Sequence, residues 1–317
     1  MGDSTSWTPP PCIEDIYAKA STMGGMNRPT AGPRSQQPLM LKRGPTTFQL
    51  YSLATPNGQK VGILLEELGI AYDAHVIRIA RMEQFSEGFV NINPNSKIPA
   101  AVDYEPGGNN MVVDGNNNQP IRLFESASIM LYLAEKYGRF LPQCPRKRAE
   151  CMNWVMWQTS GQGPMTGNFG HFFVYAPDDK GPAREYGVAR YGMEVQRLCS
   201  TLDKHLSETD GDFICGHEYT IADMICFPWF DLIRKKGYVH NSGVAARDFL
   251  KLSQYEHANA WADRMCKRAE VQRGMLVCRG VGKPWLSKVP KYKLRFGHLR
   301  KDGEMDLNEN SAPNSKM

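Results

Sequence analysis

The first sustained pattern of apolar and polar positions begins at Phe48, and Phe48–Ser52 has strand character. Thr55-Pro56-Asn57-Gly58 breaks it, and Val61, Leu64, Leu65 and Leu68 then recur at i, i+3, i+4 and i+7. That spacing predicts an amphipathic helix, ended by Gly69 in the position that favours a left-handed residue. Tyr72–Ile79 alternates again and completes a βαβ unit. A short helical stretch is expected around Gln84–Val90, followed by Asn93-Pro94-Asn95-Ser96-Lys97-Ile98-Pro99 and a strand at Ala100–Tyr104. An Asn/Gly-rich segment, 105–119, separates it from a strand at Ile121–Phe124, so the two form a hairpin with a long tip. Glu125-Ser126 then opens a helix through Ile129, Leu133 and Tyr137. The order βαβ, short helix, ββα is the thioredoxin-like arrangement.

Beyond about Pro145 the strand signals stop. Met152–Trp157, Val188–Leu206, Ile221–Arg234 and Tyr255–Lys267 read as helices, and Thr220-Ile-Ala-Asp223 has the form of an N-capping box. Residues 1–45 are rich in Pro, Ser, Gly and Thr without a period. The chain therefore divides into an extended arm (1–45), a thioredoxin-like domain (46–142), an all-helical domain (143–280) and a basic, polar tail (281–317).

Composition narrows the class. With 317 residues, 41% of them hydrophobic, the chain has material for a sizeable core. No run nears the roughly 18 apolar residues of a membrane helix, and no basic-then-apolar leader opens the sequence. A cytosolic address without membrane attachment is expected. The net charge of +5 gathers in the tail, between Lys283 and Lys301. Such a tail reads as a solvated or docked extension, and no nucleic-acid partner is expected. The eight cysteines form no CxxC pair and no zinc-ligand spacing, so no metal is expected. None falls between Thr46 and Gln143.

That absence gives the strand-to-helix turn its interest. In thioredoxin-like folds a reactive sulfur sits where the first helix begins, because backbone N–H groups and the helix dipole stabilise a thiolate. Here Thr55 and Asn57 stand in that place, and both side chains donate hydrogen bonds. A sulfur reacting at this turn has to be imported; otherwise Thr-Pro-Asn-Gly is only a helix-starting turn. Lys97-Ile98-Pro99, just before a strand, fits a cis proline that opens the Ile98 backbone to a peptide-like ligand. An ordinary trans loop proline is the plainer alternative. Glu125 and Ser126 at a helix start suit the ammonium and carboxylate of an amino-acid ligand, or serve as a simple cap. In the helical domain, the aromatic stretch from Asn168 to Pro177 fits core or interface. Tyr186 and Arg190 share a helix face, as a carboxylate clamp or as a surface pair.

Taken in order, MNRPTAGP, LYSLATPNGQKV, EQFSEGFVNINPNSKIPA, PIRLFESASIMLYLAEKYGRFLP, MNWVMWQ, FGHFFVYAP and YTIADM resemble the glutathione S-transferase superfamily, most closely its bacterial Nu class. The resemblance spans roughly Asn27 to Arg279. It implies homodimers binding two glutathiones per subunit, glutathione being a cosubstrate, and disulfide-bond reductase activity toward small disulfides. Weaker peroxidase activity and conjugation of electrophiles are also implied. The family's glutathione contacts fall on Asn27, Thr55, Pro56, Asn57, Gln84, Lys97, Ile98, Glu125, Ser126, Tyr186 and Arg190, with Thr55 and Asn57 as the catalytic pair. The 105–119 insert, an enlarged 178–183 segment and the basic tail depart from the family pattern. A conventional conjugating transferase and a non-catalytic binding scaffold are the alternatives.

Overall fold

The computed structural model describes residues 9–14, 30–34, 41–107, 119–176, 181–235 and 237–286, with two short pieces at 298–299 and 305–306. Four strands build the sheet: β1 (Phe48–Ser52), β2 (Tyr72–Val76), β3 (Ala100–Asp103) and β4 (Ile121–Phe124). Their order is β2-β1-β3-β4; β1 and β2 run parallel, and the β1–β3 and β3–β4 pairs are antiparallel. The two central strands are buried along their whole length. Their alternating side chains sort onto opposite faces, as the two-residue period of a strand requires. Phe48, Leu50, Ala101 and Leu123 join the main core, while Tyr51, Ala100 and Val102 join a smaller cluster with Ile77, Phe89 and Ile92.

Helix α1 (Pro56–Leu68) follows β1 and is ended by Gly69 at φ 69°. Two 3-10 turns and the short helix α2 (Glu87–Val90) link β2 to β3; the short helical stretch expected around Gln84–Val90 is divided between the second turn and α2. Strand β2 stops at Val76, three residues short of the expected Ile79, because the chain turns there to let Glu83 accept a hydrogen bond from the Arg78 N–H. Helix α3 (Ser126–Tyr137) closes the domain, ending at Gly138 in the left-handed region. Its Lys136 Nζ lies 2.5 Å from Asp103 Oδ2, and the Tyr132 hydroxyl donates to the same oxygen at 2.8 Å. Both ionic partners are buried, so α3 is locked to the end of β3.

The second domain begins with α4 (Pro145–Trp157), a wide turn at Gln158–Gln162, α5 (Gly163–Gly170) and a second wide turn at His171–Tyr175. The junction residues Gln158, Gly163 and His171 all keep right-handed helical angles, so one rod runs from Pro145 to Tyr175. The sequence reading found only Met152–Trp157 in this rod. Each wide turn replaces the usual bond by one to the fifth residue, as Gly163 N–H donates to Gln158 O, and this shifts the apolar period. Helices α6 (Gly181–Glu208), α7 (Ile221–Arg234), α8 (Ala246–Phe249), α9 (Glu256–Lys267) and α10 (Ala269–Gly274) complete the domain. The capping box is present: Asp223 accepts from Thr220 N–H, and Thr220 Oγ1 accepts from Ala222 N–H. Asp223 also receives Ile214 N–H and Trp261 Nε1–H, so three N–H donors meet this buried carboxylate near the cap.

Helix α1 packs against α3, α7 and α10, and its Val61, Leu64 and Leu65 share one core with Phe48 and Leu50 of the sheet. Its sequence shows one apolar stripe; the second domain covers the rest.

Replacing Lys136 by Met should leave the Asp103 carboxylate buried without its cation and cost about 3–5 kcal/mol of stability. Adding Asp103→Leu should restore most of that loss. Urea unfolding of both variants tests this, and a single-variant loss below about 1 kcal/mol, as for a surface pair, would contradict it.

Candidate active site

A cleft of about 220 Å³ opens at the N-terminus of α1. Thr55, Pro56 and Asn57 form one wall and Ile79, Gln84 and Phe85 a second; Ser96, Lys97 and Ile98 form the third. Thr55 occupies the N-cap position with extended angles, yet its hydroxyl makes no cap bond, and Pro56 at the first helical position has no N–H to satisfy. The hydroxyl is thereby available to the cleft. The Ile98–Pro99 peptide bond is cis.

Trp229 of α7 supplies the fourth wall. Its Nε1–H donates to Asn57 Oδ1 at 2.9 Å. An indole N–H only donates, so the contact assigns the amide: oxygen toward Trp229, NH₂ left as the donor. Gln84 is buried, and its Oε1 has no hydrogen-bond partner. A buried acceptor left open on a cleft wall is a place for a ligand N–H.

The start of α3 lies beside this cleft. Glu125 takes a positive φ of 65° and places Ser126 at the first helical position, with no side chain capping the helix. Asn95, from the loop carrying Lys97 and Ile98, donates to Glu125 Oε1 at 3.4 Å. Beneath them lies Lys60, only 2% exposed, whose Nζ is 2.6 Å from Gln158 Oε1 and 3.4 Å from Ser126 Oγ. Burial lowers the Lys60 pKa to about 7, partly offset by the charge of the nearby Glu125. The start of α3 and a buried amine thus lie beside a cleft that the start of α1 lines, an arrangement suited to an anionic ligand.

Comparison with known proteins fits this geometry. The family description "Glutathione S-transferase, N-terminal domain" matches residues 54–136, and "Glutathione S-transferase, C-terminal domain" matches residues 170–269. The disulfide-bond oxidoreductase YghU of Escherichia coli is 46% identical over 81% of this chain and 83% of its own length. The chain belongs to the glutathione S-transferase family. A crystal structure of glutathione transferase YghU from Streptococcus pneumoniae, complexed with glutathione, is 41% identical with a TM-score of 0.73, covering 86% of this chain and 98% of that one. A glutathione transferase from Burkholderia graminis, with two glutathione molecules bound per subunit, is 34% identical with a TM-score of 0.64, covering 73% and 88%.

In this glutathione S-transferase, six of the expected contact residues line one cleft: Thr55, Pro56, Asn57, Gln84, Lys97 and Ile98. Glu125 and Ser126 adjoin it through Asn95 and Lys60. Tyr186 and Arg190 sit one turn apart on α6, both exposed, and neither lines the cleft. Asn27 lies outside the described residues, as do most of the 105–119 insert and the tail. The arm does reach the site: Arg34 N–H donates to Phe85 O at 2.9 Å, and its guanidinium covers the Phe85 ring at 3.7 Å.

Sequence reasoning missed Phe85, Ile79, Ser96, Trp229 and Lys60. Phe85 and Ser96 adjoin residues already singled out. Trp229 lies in a helix apolar on nearly every side, where nothing distinguishes it from a core aromatic. Lys60 falls outside the apolar stripe of α1, where a solvated lysine is the ordinary expectation.

Lys60 should also leave a signature in stability. Its folded pKa of about 7 lies below the ordinary 10.5. Below pH 7 both states carry the proton and the burial penalty is complete; between those values only the unfolded chain holds it. Stability of the ligand-free protein should therefore gain up to about 1.4 kcal/mol per pH unit above 7 from this group. Urea unfolding from pH 6.5 to 8.5 should show this rise in the parent and not in Lys60→Met.

Proposed function

We propose that this protein is a glutathione-dependent disulfide-bond reductase that uses two glutathiones per subunit. One observation carries the reading: the cleft presents Thr55 and a Trp229-oriented Asn57 at a helix N-terminus, in a domain with no cysteine of its own. A site built to stabilise a thiolate, but lacking the sulfur, takes the sulfur from its substrate. The glutathione-bound relatives support the identity of that substrate.

Glutathione lies with its γ-glutamyl end at Glu125 and Ser126, its backbone along Ile98 and its sulfur at Thr55 and Asn57. The Thr55 hydroxyl and Asn57 NH₂ donate to the sulfur and favour its thiolate form. The thiolate attacks one sulfur of the substrate disulfide; a mixed disulfide forms and the other half leaves as a thiolate, which takes up a proton. The second glutathione, held with the help of Tyr186 and Arg190, then attacks the glutathione sulfur of the mixed disulfide. Glutathione disulfide forms, and the second half of the substrate leaves as a thiol. Two protons leave the glutathiones and two return to the products, so the exchange balances.

The protein acts in the cytosol as a homodimer. Its eight free cysteines accord with a reducing compartment, and exposed Met156, Tyr186 and Met193 on the helical domain provide apolar surface for a second copy. Among the described residues, no helix is long and apolar enough to cross a membrane.

Thr55→Ala and Asn57→Ala should each lower turnover of hydroxyethyl disulfide about 10- to 150-fold, the worth of one hydrogen bond to a charged acceptor, with a smaller change in glutathione affinity. Trp229→Phe should move turnover in the same direction by less, since the Asn57 amide keeps its donor but loses its orientation. Weakened affinity with intact turnover in both Ala variants refutes the assignment, and faster turnover of chlorodinitrobenzene than of disulfides in the parent favours a conjugating transferase.

Arg190→Ala tests the second glutathione. Titration calorimetry should find two binding events in the parent and one of them weakened about 10- to 150-fold in the variant. A single event unaffected by the substitution contradicts the two-thiol mechanism.

A further inference from the structure

Lys60 is one helical turn beyond Asn57 on α1, and its ammonium ends in the seam between the two domains. It contacts only neutral oxygens, those of Gln158 and Ser126, and no carboxylate lies within ion-pair distance of it among the described residues. A buried charge so placed is incompletely compensated. The charged or titratable groups that face it are Glu125, exposed in the turn before α3, and Cys226 of α7. The Cys226 thiol is buried and pushed well above its ordinary range, so it stays neutral near pH 7. Around the amine, bonding capacity is left over: the fully buried Gln158 keeps its Nε2 without a partner, and Gln162 its Oε1. A Cβ at Gly163 would approach Gln158 Nε2 to 3.0 Å and Trp229 Nε1 to 3.4 Å, so this polar seam is continuous with the Trp229–Asn57 contact. It ends at Ser126, at the start of the twelve-residue helix α3, where N–H groups add partial positive charge.

We propose that Lys60 is the buried counter-charge of the carboxylate held at Ser126, a positioning residue that takes up a proton when glutathione binds. The inference rests on the proposed seat of the γ-glutamyl group and adds to it a link between binding and pH. In the ligand-free protein, burial dominates at the amine and the neighbouring Glu125 only partly offsets it. A carboxylate seated on Ser126 brings an opposite charge within reach of Nζ, and such a neighbour typically raises an amine pKa by roughly one to three units. The protonated lysine then holds Ser126 Oγ by a lone pair and leaves its O–H to the ligand. Binding is strongest where Lys60 is already charged and weakens as pH rises beyond that point.

The probe is S-methylglutathione, which has no thiol proton, titrated calorimetrically from pH 6.5 to 8.5 in buffers of differing ionisation enthalpy. At pH 8 the parent should take up a large fraction of a proton per ligand, and its Kd should rise up to about tenfold per pH unit above 7. Lys60→Met should show neither effect, so the difference isolates Lys60 from the ligand's own amine. The analogue of S-methylglutathione with 4-aminobutanoyl in place of the γ-glutamyl group, which lacks only that carboxylate, should bind the parent without proton uptake. That ligand comparison decides the matter even if Lys60→Met does not fold. Binding of S-methylglutathione with no uptake, or with equal uptake in parent and variant, overturns the role given to Lys60. Failure of S-methylglutathione to bind at any pH overturns the proposed function, and this inference with it.

Discussion

The close approach of α1 to α10 governs the rest of the molecule. A Cβ on Gly62 would sit 2.5 Å from the Gly274 carbonyl oxygen, and one on Gly274 would sit 2.4 Å from the Ile63 Cα. The two backbones meet with no side chain between them, so neither helix can shift along the other without a clash. Ion pairs flank the contact: Arg268 forks onto Glu67 at 2.6 and 2.8 Å, and Arg273 Nε lies 2.7 Å from Glu66. Replacing pairs of this kind by apolar residues is often neutral in free energy, so their use here is to register one domain on the other. The N-terminus of α1 carries Thr55 and Asn57, and its position is therefore set by the domain that follows.

This explains why the cleft is a joint product of both domains. The thioredoxin-like domain contributes the helix start, the Gln84–Phe85 wall and the loop through Lys97 and Ile98. The helical domain contributes Trp229, which decides which end of the Asn57 amide serves as donor. Behind the cleft, Gln158, from a wide turn in the rod that begins at Pro145, holds the Lys60 amine. Wide turns of this kind recur at functional positions because they redirect side chains without ending the helix.

Electrostatically the groove is arranged around charge that the protein does not itself supply. The N-terminus of α1 faces it, and the start of α3 with Glu125 and the buried Lys60 amine lies beside it. A resident cysteine thiolate would neutralise part of this field permanently. With none present, the field is free to act on an anionic ligand.

Local pattern determined a good deal. Strands Phe48–Ser52 and Ile121–Phe124, helix Ile221–Arg234 and the Thr220–Asp223 box occur where the periodicity and capping residues placed them. These features depend on hydrogen bonds between near neighbours, which neighbouring residue types report directly. The thioredoxin-like order and the cysteine-free turn were likewise legible, whereas Gln84 entered only through the family resemblance. Lys60 was not legible, because burial of the polar side of α1 depends on a second domain docking there. Nor was Trp229, whose bond to Asn57 spans 172 positions of chain. Tyr186 and Arg190 share a helix face by spacing alone, but where that face looks is decided by how α6 packs. Sequence period records which atoms lie one turn or one strand pair apart; contacts across the seam between domains are chosen by close packing, and only the folded chain holds them.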